Sequence, residues 1–136
     1  MDSNALHWLR AAKDDLDAID ELLRNPNLTN IAAFHAQQAI EKTFKALLEY
    51  EQKDVPKSHN LEKLYGYVQH LICVDDFSTL EMINEIYIDS RYPGDLGILP
   101  AGKPSLQITQ KFRRMAQDIF HQAGSILQDT TSEQTP

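Results

Sequence analysis

Six side chains in this 136-residue sequence, of types that can hold an anion or stack on a base, stand at segment boundaries or along one helical face. Lys42 and Lys45 are three residues apart, which puts them on one side of a helix. Lys57 and His59 come just before a third apolar-periodic segment, where the unpaired N–H groups of a starting helix favour negative charge. Arg91 and Tyr92 lie where a fourth such segment breaks at Pro93. A guanidinium grips phosphate through a planar two-pronged fork, and a neighbouring tyrosine ring can stack on a base. The set Arg91, Tyr92, Lys42, Lys45, Lys57 and His59 therefore reads as a candidate nucleotide-binding site. Each member also has an ordinary reading: a wet lysine, a capping histidine, an arginine paired with Asp89 or Asp95.

Other chemistries find less support. The five histidines, His7, His35, His59, His70 and His121, contain no pair at the spacing of a zinc-protease helix. A di-iron bundle needs two Glu-x-x-His motifs, and the nearest match is a single Asp118-x-x-His121. Asp14, Asp15, Asp17, Asp20 and Glu21 crowd one segment without a histidine or glycine loop, and read as a solvated face rather than a metal site. No glycine-rich phosphate loop of either common type is present, and no cofactor or metal is expected. Cys73, within Leu71-Ile72-Cys73-Val74, reads as a buried small hydrophobe. Trp8 reads as core.

The elements that must position these residues follow from apolar spacing. Ala5, Trp8, Ala12, Leu16, Ile19 and Leu23 predict a helix over about 4–24, ended by Asn25-Pro26-Asn27. Ala33, Ala36, Ile40, Phe44 and Leu47 predict a second over about 30–52, with helix breakers returning at Asp54-Val55-Pro56. Beside that stripe run a small-residue row (Ala32, Ala36, Ala39, Thr43, Ala46), suited to close helix approach, and a polar row (His35, Gln38, Lys42, Lys45, Glu49). Ser58 or Asn60 can cap a third helix that buries Leu61, Leu64, Tyr67 or Val68, and Leu71. Asp75 or Asp76 can start a fourth carrying Phe77, Leu80, Ile83 and Tyr87. A last helix over about 105–128 buries Ile108, Phe112, Met115, Ile119, Ala123 and Ile126. Nothing alternates with period two for long enough to make a strand. The fold class is all-α, an antiparallel up-and-down bundle of four to five helices over residues 1–128, with 129–136 as a frayed polar tail. The one long connection, 93–104, contains Leu96, Ile98 and Leu99 and is expected to pack on its own domain or on a partner.

A net charge of −7 argues against bulk DNA or anionic-membrane binding. Lys103, Lys111, Arg113 and Arg114 fall in an interval without acids, however, which allows a local basic surface. The acidic amino terminus has no signal-peptide order, no apolar run reaches membrane-spanning length, and a single cysteine fits a reducing compartment. A soluble, cytoplasmic chain is expected.

The sequence resembles the HEPN family of small helical domains. The likeness rests on Trp8-Leu9-x-x-Ala12 with Asp15-Leu16, on Ala33-Phe34-x-x-Gln37-Gln38-Ala39-x-Glu41-Lys42-x-x-Lys45-Ala46-Leu47, on His59-x-Leu61-x-x-Leu64 and on Arg91-Tyr92-Pro93, in the family's order across about residues 5–127. It implies a homodimeric bundle with one of two roles. Some members are ribonucleases, often toxins, that pair an arginine with a histidine four to six residues later. Others are non-catalytic partners of small nucleotidyltransferases, or nucleotide-binding modules. Arg91 matches the family arginine, but residues 92–104 contain no histidine to move a proton. The expectation is a non-catalytic module that binds nucleotide or RNA or docks a nucleotidyltransferase, in a toxin–antitoxin type of system. The alternatives are a ribonuclease using Arg91 with a displaced histidine, His59 or His121, and a purely structural dimeric scaffold. Arg114 and His121 share the Arg-x6-His spacing, but they lie inside the last helix, where the match reads as coincidence.

Overall fold

The apolar spacings close into helices α1 (Ser3–Leu22), α2 (Thr29–Tyr50), α3 (Leu61–Val68), α4 (Phe77–Arg91) and α5 (Leu106–Gln134), with one 3₁₀ turn at Pro26–Leu28. The computed structural model describes residues 3–91 and 102–134, and no strand occurs among them. The chain is thus an all-α bundle.

Helix α2 is its axis, in contact with each of the other four. Lys45 reaches the Trp8 ring while Asp15 reaches His35, so α1 and α2 run antiparallel. Arg113 of α5 meets Asp20, and Gly124 and Gln128 share a groove with Leu6 and Leu9, so α5 also opposes α1. The core follows the expected stripes: Ile19 and Ala12 from α1, Ile40, Phe44 and Leu47 from α2, Leu80 and Ile83 from α4, Phe112 and Ile119 from α5 are all buried. The small row of α2 is buried as well, from Ala32 through Ala46. A helix enclosed on so many sides can tolerate large side chains in only some directions, and alanines fill the others.

Local chemistry sets the ends. Asn25 accepts the Asn27 N–H at 2.9 Å and opens the 3₁₀ turn, with Pro26 at a position that needs no donor. Of the two candidate caps, Asn60 starts α3 by accepting the Lys63 N–H at 3.1 Å. Asp76 starts α4, accepting from the Thr79 N–H at 3.1 Å and the Thr79 hydroxyl at 2.7 Å. Between these two helices the chain is held by α5. The Gln122 side-chain oxygen takes the Cys73 N–H at 2.9 Å, and its amide donates to the Cys73 carbonyl at 2.8 Å. Helix α2 ends at Tyr50, close to its expected bound near 52 and ahead of the Asp54-Val55-Pro56 breakers. Gln52 adopts a left-handed φ of 58°. From there the Gln52 and Lys53 N–H groups return to the carbonyls of Glu49 and Leu48, each at 2.9 Å. That is a Schellman closure built without glycine.

Several expectations of burial are corrected. Val68, not Tyr67, is the buried choice on α3, because Tyr67 is 44% exposed. Phe77 and Ile108 sit in first helical turns and remain about two-fifths exposed, while Trp8 is half-buried. Cys73 is exposed, because it lies in the connection after α3 rather than in a helix. Helix α5 continues to Gln134, past the bound at 128 and into the segment expected to be a tail. The long connection, from Tyr92 to Ala101, lies outside the described residues, as do the side chains of Tyr87, Asp89 and Arg91.

Candidate functional site

Helix α2 turns two carboxylates of the bundle into polar nodes. Asp15 projects from the part of α1 packed on α2 and is buried, unlike Asp14, Asp17, Asp20 and Glu21 around it. It accepts from His35 Nδ1 at 2.8 Å and from Lys42 Nζ at 2.7 Å. One helical turn along α2, Glu41 accepts from Lys45 Nζ at 3.0 Å, with 5% of the Glu41 side chain and 6% of the Lys45 side chain exposed. Glutamate four residues before lysine is the favourable order on a helix. Burial makes the pairing obligatory, since a lone charge there would be strongly destabilising. The Lys45 ammonium also lies 5.5 Å from the centre of the Trp8 ring, within cation–π range.

Glu41 reaches beyond α2 as well. Its carboxylate takes His59 Nδ1 at 3.0 Å and the Gln37 amide at 3.1 Å. Gln37 Nε2 donates in turn to the His59 carbonyl at 3.2 Å, and Gln38 donates to Gln37 Oε1 at 2.6 Å. The connection between α2 and α3 is therefore pinned to α2 just before α3 begins. Lys57, two residues earlier, is exposed.

Asn84 of α4 completes this end. Its side-chain oxygen takes the Leu61 N–H at 2.8 Å, and its amide donates to Asn60 at 3.2 Å and Glu62 at 3.1 Å. Tyr65 of α3 faces Phe77 of α4 at a ring separation of 6.4 Å, so the two helices run antiparallel. Arg91, the last residue of α4, comes seven residues after Asn84, about 10 Å further along the axis past the start of α3. Helix order thus brings Lys57, His59 and the backbone of Arg91 toward one end of the α3–α4 pair, over the Glu41 node. Tyr92 lies outside the described residues.

The remaining candidates are elsewhere. His121 is exposed on α5, its ring 5.7 Å from that of Phe120, in a groove of about 610 Å³ shared with Leu6, Leu9 and Leu127. Among the described residues, none of α3, α4 or the Lys57–His59 segment lines that groove. Arg114 lines a separate cleft of about 290 Å³ with Asp75, Asp76, Thr79, Lys111 and Asp118, so the Arg114–His121 spacing makes no common site. The basic run is largely taken up by ties within the bundle. Lys103 donates to the Asn27 carbonyl at 2.6 Å, Lys111 meets Asp76 at 3.3 Å and Arg113 meets Asp20 at 2.6 Å. The Cys73 thiol donates to Asp75 at 3.0 Å, and that hydrogen bond to a carboxylate raises its pKa, the opposite of an activated thiolate.

Gln37 and Glu41 entered the sequence reasoning only within the strings that carry the family resemblance, and Asp15 there and among the carboxylates read as a solvated face, none of them as site residues; Asn84 did not enter it at all. Glu41-x-x-x-Lys45 was a visible signal, as an ion pair in the most apolar helix. Asp15 gave none, hidden among four carboxylates that do face water.

Against known proteins, the family described as HEPN domain matches residues 5–133. Among solved structures, the chain is similar to TT1696 from Thermus thermophilus, with 23% identity and a TM-score of 0.76 over 92% of this chain and 98% of that one. That likeness is one of fold. No protein with a curated description matches.

Proposed function

The chain belongs to the HEPN domain family, and from that premise we propose that it is a module that binds nucleotide or RNA without cutting it. The binding end is formed by Lys57, His59 and Arg91, with Tyr92 as the stacking ring. The observation that carries this reading is the antiparallel α3–α4 pair, locked by Asn84, which directs the end of α4 past the start of α3. Lys45 serves as a counter-charge to Glu41 beneath this end, while Lys42 is engaged by Asp15 on the α1–α2 face. In the same reading the module acts as a homodimer, can dock a small nucleotidyltransferase, and fits a toxin–antitoxin type of system.

A thermal-shift series with ATP, ADP, GTP and short RNAs, on wild type and Arg91→Ala, tests the proposal. A ligand present at about 100 times its dissociation constant stabilises the native state by roughly 2.7 kcal/mol, several degrees for a domain of this size. A shift lost in Arg91→Ala supports the reading. No shift with any of these ligands sinks it and leaves the scaffold or docking roles.

A ribonuclease is the second reading, favoured by one contact: Glu41 holds His59 Nδ1, as a carboxylate orients a proton-transferring imidazole. RNA cleavage abolished by both Arg91→Ala and His59→Ala would establish it over binding alone.

A further inference from the structure

Asp15 divides its carboxylate between two side chains of α2. His35 Nδ1 lies 2.8 Å from Oδ1, and Lys42 Nζ lies 2.7 Å from Oδ2. A carboxylate can only accept, so the hydrogen on the first contact belongs to Nδ1, and Nε2 is the ring nitrogen left to meet a ligand. Lys42 uses one of its three ammonium hydrogens on Asp15. Among the described residues neither His35 nor Lys42 has a further hydrogen-bond partner. The Asp15 side chain is 8% exposed, against 30% for His35 and 26% for Lys42, so the donors reach water and the acceptor does not. On α1 the residues one turn either side of Asp15 are Ala11 and Ala18, too short to cover the node.

Glu41 and Glu51 also take one histidine and one lysine each. At Glu41 the lysine is buried, and at Glu51 the groups are exposed enough for the pairing to be weak. Of the three, Asp15 is the one that is buried beneath two cationic groups open to solvent.

We infer that His35 Nε2 and Lys42 form an anion site on the α1–α2 face for a single phosphate group, either free phosphate or that of a mononucleotide. Asp15 is its positioning residue. A phosphate oxygen accepts, so Nε2 carries a hydrogen in the complex, the proton coming from solvent or from a phosphate hydroxyl. The imidazolium and the ammonium then set two positive charges against the one negative charge of Asp15, and the anion supplies the balance. The site stands apart from the Lys57–His59–Arg91 end and does not depend on it.

Nitrogen-resolved NMR of the imidazoles in the full chain, titrated with inorganic phosphate and separately with AMP, tests the assignment. The expected result is Nδ1–H for His35 in the free protein, and a His35 Nε2 resonance that moves to saturation with one or both anions. His70, which meets Glu51 through its own Nε2, should stay in place. Phosphate acting first identifies the free ion as the ligand, and AMP acting first identifies the nucleotide phosphate. His35→Gln and Lys42→Gln, each still able to donate to Asp15, should weaken binding about tenfold, with melting curves of the free variants confirming that they fold. His35 found as Nε2–H overturns the site. So does an Nε2 resonance that neither anion moves, one that drifts together with His70 without saturating, or wild-type affinity in both variants. A shift confined to His59 overturns it as well, and supports the separate binding end proposed above.

Discussion

Glu41 and Lys45 meet at 3.0 Å with about a twentieth of either side chain in water. Lys45→Ala is expected to cost about 3–5 kcal/mol, because it takes the ammonium from a buried carboxylate and leaves it only the His59 and Gln37 contacts. Replacing both by apolar residues of similar volume should cost far less, and denaturant titration of the three proteins reads the difference. Asp76 offers a second test at this scale. Its pKa is held well below the usual carboxylate range by the Thr79 and Ser78 hydroxyls, the Thr79 N–H and Lys111. A carboxylate depressed in the folded state contributes stability that is complete above its unfolded value and lost as pH falls below about 4. Asp76→Ala should therefore be less stable than wild type at neutral pH, and the gap should narrow in urea melts carried down to about pH 2.

Among the described α-helices, α3 is the shortest, eight residues, and relies on neighbours for its ends. Asn84 satisfies the Leu61 N–H at a buried position, so Asn84→Ala should cost about 1–3 kcal/mol. Melting followed by circular dichroism checks it, with α3 lost first in hydrogen exchange. The elements were the legible part of the sequence. Stripes such as Ile40–Phe44–Leu47 are driven by burial, which leaves a period in the residues themselves. Ends were less legible: Gln52 in a left-handed conformation is set by the carbonyls of Leu48 and Glu49, and nothing in its type announces it. The polar site was legible by residue but not by partner. Lys42, Lys45 and His59 stood out as cations, but Asp15 and Glu41, which decide what those cations do, come from other turns and helices. Only the packing of α1 on α2 distinguishes Asp15 from Asp14, and only the packing of the 51–60 connection on α2 brings His59 to Glu41.

The whole molecule carries −7, so in the proposed reading any attraction for a polyanion is confined to the Lys57–His59 end and should be short-ranged. Among the described residues no helix is long and apolar enough to cross a membrane. Ile31, Leu106 and Ile108 are each 37–41% exposed, near the starts of α2 and α5 that Lys103 ties together through Asn27. With family membership, that exposed apolar surface leads us to expect a dimer. Light scattering at micromolar concentration should give twice the mass of one chain, and the mass of one chain would count against the expectation.

The Gln122 amide spans the junction between α5 and the α3–α4 connection, with Asp118 bracing it at 2.9 Å. By meeting both the N–H and the carbonyl of Cys73, one side chain imitates the two-way pairing of a neighbouring strand, on a residue that water otherwise surrounds. Deuterium should enter the Cys73 amide only when α5 lifts away, which makes an exposed position the reporter of how often the bundle opens along that seam.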